Sequence, residues 1–196
     1  MKSVIKTAEM LDLAQIDKTT QLLLKLRKDS GRLFILGMGG SAANASHMVN
    51  DLRKICGIDA YAPTDNVSEF SASCNDEGLG TYFPRWLETS KISNKDAIFV
   101  LSVGGGNREK KVSLELVNAI EVARRRSAKI LGIVGRDGGE AIRNSSDVIL
   151  VPTISSTLDT PLVESFQAVI WHAIAFNPIL KLIPSKWESI VEQELL

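Results

Sequence analysis

The sequence predicts an α/β protein, a five-stranded parallel sheet flanked by helices on both faces. Three observations lead there. Short apolar runs recur near 33–36, 58–62, 97–101, 130–134 and 147–151, and stretches long enough for helices separate them. Most of the runs are apolar throughout instead of alternating, the pattern of strands covered on both faces. Two of them, LFIL and AIFVL, lead into glycine-rich turns at 37–40 and 102–107. In such sheets ligands bind beyond the carboxyl ends of the strands, at a switch point, so two glycine turns at such ends predict a site between them.

In chain order, residues 8–28 read as one or two helices, with Leu22, Leu23, Leu24 and Leu26 supplying a buried face. After the first strand, Gly37, Gly39 and Gly40 allow a tight turn. Ser41 stands where a helix N-cap belongs, and Ala45, Met48, Leu52 and Ile55 give the following helix its apolar side. Pro63 stops the second strand. Residues 67–74 are a short helix or loop, and Asn75-Asp76-Glu77-Gly78 is a polar turn. Residues 82–92 form a helix with Pro84 in its first turn, where proline is tolerated. Tyr82, Phe83 and Trp86, with Trp171 and Trp187, suit either the core or a contact surface. Residues 112–126 are an amphipathic helix, whose Arg124-Arg125-Arg126 is a solvated cap suited to the helix dipole. Arg136-Asp137-Gly138-Gly139 is a strand-exit turn, and residues 160–176 are a long helix. One domain is expected over residues 1–196: a helical segment at 1–30, an α/β core at 31–176 and a tail at 177–196.

Lys and Arg number 23 and Asp and Glu 23, so no global field favours nucleic acid or an anionic membrane. An anionic ligand must be recognised locally. Cys56 and Cys74 lack metal-ligand spacing and read as free thiols of a cytoplasmic protein. Residues 1–18 are too polar for a signal peptide, and no apolar run approaches the length of a membrane span.

The first glycine turn opens a helix, whose N-terminus can hold a phosphate. It is not a Walker loop, because no Gly-Lys-Ser/Thr follows, and Ala42 stands at the third position of GxGxxG. Ser102 with Gly104, Gly105 and Gly106 offers a second anion or hydroxyl site, and Asn75-Asp76 a place for sugar hydroxyls. The two histidines of the chain each have a carboxylate on their own helix. Asp51 follows His47 at i+4 and shares its face. Glu164 precedes His172 by eight positions, about 80° around the helix. From the residues alone two readings stay open: the pairs face one pocket as acid–base groups or metal ligands, or each lies on a solvated stripe.

Five motifs in order, GMGGSAANASHMVNDL, CNDEG, SVGGGN, VGRDGG and the late helix with Glu164 and His172, resemble the phosphoheptose isomerase group of the SIS (sugar isomerase) domain family. The resemblance runs from about Ala8 to Phe176. It implies a five-stranded parallel sheet and a homotetramer with sites at subunit contacts. It also implies isomerisation of sedoheptulose 7-phosphate to a heptose 7-phosphate, early in the route to activated heptose for surface glycans such as lipopolysaccharide. By position, it implies substrate contacts from Gly39, Gly40, Ser41, Asn75, Asp76, Ser102, Val103, Gly104, Asn107 and Glu164. Asp51 and His172 become the catalytic pair, and His47, Asp51, Glu164 and His172 a set able to hold zinc.

The chain departs from the family pattern at four places. Met38 replaces the asparagine of Gly-Asn-Gly-Gly-Ser, Asp51 a glutamate and Glu164 a glutamine, and the loop Ser-Thr-Ser-Gly-Asn-Ser is reduced to Ser-Val-Gly-Gly-Gly-Asn. The extra charge of Glu164 favours a cation, so the four residues are expected to converge on one metal. The other function class considered is a non-catalytic module that binds a sugar phosphate and regulates a partner. Simple binding needs no such set of acid–base residues.

Overall fold

In the computed structural model, which describes residues 1–145, 147–187 and 189–190, the apolar runs form five strands. They are β1 (Arg32–Leu36), β2 (Asp59–Tyr61), β3 (Ala97–Ser102), β4 (Lys129–Val134) and β5 (Val148–Leu150). All neighbours pair in parallel, in the order β2-β1-β3-β4-β5. The registers Leu36↔Val100 and Ser102↔Val134 put the ends of β1, β3 and β4 side by side. The order reverses between β1 and β3, so the crevice of the sheet lies at the two glycine turns.

Among the described residues the α-helices include α1 (Lys2–Glu9), α2 (Leu13–Lys28), α3 (Gly40–Lys54), α4 (Val67–Glu77), α5 (Leu79–Thr89), α6 (Leu114–Arg125), α7 (Gly139–Asn144) and α8 (Asp159–Ala175). The pleat sends alternate strand residues to opposite faces. Leu33, Ile35, Phe99 and Leu101 pack with Met48, Leu52, Phe166 and Trp171. Phe34, Leu36, Ile98 and Val100 pack with Phe83, Leu116 and Ile120 on the other side. Both faces are dry, which is why the strands read as continuous apolar runs.

Several local expectations are corrected. The first helix begins at Lys2, well before residue 8. Asn75, Asp76 and Glu77 are the last turn of α4, and the turn begins only at Gly78, with φ +85°. The exit at 135–139 runs straight into α7. Ser41 is not the cap of α3: Gly39, with φ +59°, occupies that place, and Ser41 is buried inside the first turn. Tyr82, Phe83 and Trp171 belong to the core, and Trp187 is exposed. Of the tail, residue 188 and residues 191–196 lie outside the described residues. Among the described residues no helix is long and apolar enough to cross a membrane.

Helix α5 starts at Leu79, so Pro84 lies in its second turn and not its first. Proline has no N–H, and the carbonyl four residues back loses its donor. That carbonyl belongs to Gly80, and the side chain of Asn118 on α6 donates to it at 3.0 Å.

Candidate active site

Helices α3 and α8 run side by side in the same direction, and three contacts mark their course. At the start, a Cβ on Gly40 would stand 2.6 Å from Oε2 of Glu164, so only glycine lets that carboxylate settle on the α3 N-terminus. Negative charge is favoured there by the helix dipole. One turn on, Asn44 donates to the backbone carbonyl of Glu164 and to Oε1 of Gln167, each at 2.9 Å. Gln167, wholly buried, donates through Nε2 to the Ser41 hydroxyl at 3.1 Å. Ser41 therefore anchors the helix pair.

Further along the pair, His47, Asp51 and His172 converge, with donor atoms all within 4.8 Å of one another. Oδ2 of Asp51 lies 3.9 Å from Nε2 of His47 and 3.7 Å from Nε2 of His172. Asp51 is buried, and its Oδ1 accepts from Asn50 at 2.8 Å. Nδ1 of His172 lies 2.8 Å from the carbonyl of Ala168. A carbonyl only accepts, so Nδ1 carries the proton and a neutral His172 turns a bare Nε2 towards Asp51. Its ring stacks on Trp171, with centroids 3.6 Å apart. His47 meets both rings edge-on, at 4.7 Å and 5.2 Å. The buried Trp171 thus supports both histidine rings, whose side chains stay open to solvent, 57% for His47 and 42% for His172.

Glu164 lies outside this group, which corrects the expected four-residue convergence. Eight residues of α-helix rise about 12 Å. Glu164 and His172 lie about 80° apart around α8 but more than two turns apart along it. Glu164 lines a cavity at the strand ends with Met38, Ser41, Ser102 and Arg136.

The second glycine turn sits at that crevice. Ser102 is buried, and its hydroxyl accepts the N–H of Gly105 at 3.0 Å. Val103 accepts from the N–H of Gly135 at 3.1 Å. The glycines interlock with the start of α7. A Cβ on Gly105 would stand 2.0 Å from the carbonyl oxygen of Gly138, and one on Gly139 2.2 Å and 2.3 Å from those of Gly106 and Gly104. Glu140 and Ala141 donate their N–H groups to Gly106 and Gly105 at 2.9 Å and 3.1 Å. Asn107 exchanges backbone hydrogen bonds with Val112 and accepts from Lys110 through its side chain. Of the loop amides expected at a phosphate, those of Gly105 and Asn107 are therefore committed internally. A cavity of about 300 Å³ opens beside the loop, lined by Ser102, Gly104, Asn107, Lys110, Ser113 and Arg136 among others. Asn75 and Asp76 are exposed on α4 and line neither cavity.

Sequence reasoning passed over Lys110 and Arg136. Arg136 looked like part of an exit turn, and only the β3–β4 register, which sets both loops side by side, shows that it overhangs Gly104.

A family model described as the SIS domain matches residues 1–135, more than half of the chain. The lincomycin biosynthesis protein LmbN of Streptomyces lincolnensis is 33% identical over 165 residues, which is 79% of this chain and 58% of that protein. The chain thus spans little more than half the length of that relative. The phosphoheptose isomerase of Buchnera aphidicola subsp. Schizaphis graminum is 30% identical over 158 residues, covering 78% of this chain and 76% of that one. Among solved structures, phosphoheptose isomerase GmhA from Neisseria gonorrhoeae shares the fold. Its TM-score is 0.76 over 89% of this chain and 92% of that chain, at 22% identity. With its family match, its parallel five-stranded sheet and the site at the end of that sheet, the chain belongs to the SIS domain family.

Proposed function

We propose that the protein is an aldose–ketose isomerase of a sugar phosphate, with sedoheptulose 7-phosphate to heptose 7-phosphate as the expected conversion. The observation that carries this reading is the triad: one buried carboxylate oxygen flanked by two imidazole nitrogens at 3.7 Å and 3.9 Å. A buried carboxylate aimed at a bare imidazole nitrogen calls for a proton or a cation between them.

In this reading Asp51 removes the proton from the carbon beside the ketose carbonyl and returns it to the neighbouring carbon. His172, with Nδ1–H tied to Ala168, moves a proton between the two oxygens through Nε2. One hydrogen shifts between carbons and one between oxygens, so atoms and charge balance without a redox partner.

The donor set also fits a divalent metal such as zinc. Nε2 of His47, Nε2 of His172 and Oδ2 of Asp51 would hold it. The carbonyl of Ala168 orients the His172 ring in the manner usual for metal-ligating histidines. A bound cation would supply positive charge to the substrate oxygens.

Eight residues separate Glu164 at the strand-end cavity from His172, about 12 Å along α8. That separation between the strand-end cavities and the triad supports a long sugar chain over a triose, with the phosphate in the cavity beside the second glycine turn and the reacting carbons at the triad. The relatives' names point to different pathways, so the reaction is proposed and not its destination.

The test is incubation with a panel of ketose phosphates, with products read by NMR. An aldose phosphate should form from a long-chain ketose. Binding without conversion of any member would favour the regulatory module.

A further inference from the structure

We propose that Arg136 and Lys110 form the anion clamp of this protein and receive the phosphate end of its substrate in the cavity beside the second glycine turn. The proposal deepens the isomerase reading and rests on it for the identity of the substrate.

The N-terminus of α3 is the first anion site a sequence reading would choose. Here the carboxylate of Glu164 already lies against Gly40, and a second anion beside it would be repelled. The neighbouring hydroxyl of Ser41 is buried and bound to Gln167.

The second loop cannot meet the charge alone. It contributes one hydroxyl, on Ser102, and the amides of Gly105 and Asn107 are used within the fold. Polar donors remain among the residues that line the cavity. The amides of Gly104 and Gly106 have no partner among the described residues, and Ser102, which accepts from Gly105, keeps its own proton to donate.

The missing charge lies across the same cavity. Arg136 and Lys110 both line it, and neither has a carboxylate partner among the described residues. The one acidic residue in the lining, Asp137, accepts the N–H of Gly139. Arg136 is held in the left-handed region, at φ +56°, with Cδ 3.6 Å from where a Gly104 Cβ would stand. The guanidinium stem therefore lies over the loop at the point where the backbone is bare. A planar fork with parallel N–H groups suits phosphate oxygens, and a nearby ammonium adds a point charge. In a chain of zero formal net charge, two unpaired cations around one cavity are a local device for an anion.

The experiment uses the full chain with inorganic phosphate and sedoheptulose 7-phosphate as separate probes, titrated at low ionic strength. The parent should bind both. Arg136→Gln and Lys110→Gln should each weaken both probes by about tenfold, the scale of a charge-assisted contact. Arg136→Lys should lose less, since it keeps the charge and drops the fork. Thermal unfolding should not move, because both side chains are exposed. A parent that binds neither probe, or variants that bind both as the parent does, would overturn the clamp. If the variants keep full affinity while the parent isomerises a ketose phosphate, the clamp falls and the reaction stands. If phosphate binding depends on both cations but no ketose phosphate is converted, the clamp stands and the isomerase reading falls.

Discussion

Asp51 has its two oxygens in different surroundings. Oδ1 accepts the amide of Asn50, and Oδ2 faces both imidazoles. Asp51→Asn keeps the shape and removes both the base and a charged ligand. We expect kcat to fall by about 10²–10⁴, with inorganic phosphate still bound, because Asp51 is not part of the cavity at the strand ends. Turnover at the parent rate would remove Asp51 from the mechanism. The two cysteines make a second contrast at this scale. Cys56 is fully buried, and its thiol donates to the carbonyl of Ala175 at 3.2 Å. Burial pushes that thiol up to about 11, so almost none is thiolate near neutrality. Cys74 is half-buried on α4. A thiol reagent at pH 8 should titrate one cysteine in the native protein and two in denaturant. Two rapid equivalents from the folded chain would contradict the packing around Cys56.

Helix α5 shows how one element depends on its neighbour. Pro84 orphans the carbonyl of Gly80, and Asn118 of α6 supplies the missing donor. Removing the amide leaves a half-buried carbonyl unpaired, so Asn118→Ala should cost about 1 kcal/mol or more. The coupling decides whether this account holds. In a Pro84→Ala background the helix regains its own N–H, and the Asn118→Ala cost should shrink towards zero in a denaturant-melt cycle. Equal costs in both backgrounds would mean that Asn118 acts elsewhere. The glycine-rich stretches follow the same logic between elements. Gly105 and Gly139 are required because two backbones meet there, whether or not a ligand comes near.

At the scale of the molecule, the sheet order sets the crevice, and the parallel pair α3 and α8 runs from it to the triad. Assembly remains a proposal from the family resemblance, a homotetramer with sites at subunit contacts. Tyr82, Phe83 and Trp171 are spent on the core, so they cannot form that contact. The apolar side chains left outside include Ile5, Met10, Leu13, Val169 and Trp187. Light scattering at micromolar concentration should give a mass near four chains, and a monomer mass would end the idea.

The sequence by itself determined the strands, their parallel direction and the helices that carry chemistry; the strand order came from the structure. Strands buried on both faces must be apolar at every position, and that signal is local. The pairing of His47 with Asp51 is equally local, since i and i+4 share a helix face. Only the tertiary structure decided which local pairs meet. It brought His172 to Asp51 because α3 and α8 lie side by side, and it left Glu164 at the far end because a helix rises with every residue. It turned Ser41 inwards to Gln167 and made Arg136 and Lys110 neighbours across a cavity. No window of sequence holds those meetings, because each joins residues that the chain separates and the packing of elements reunites.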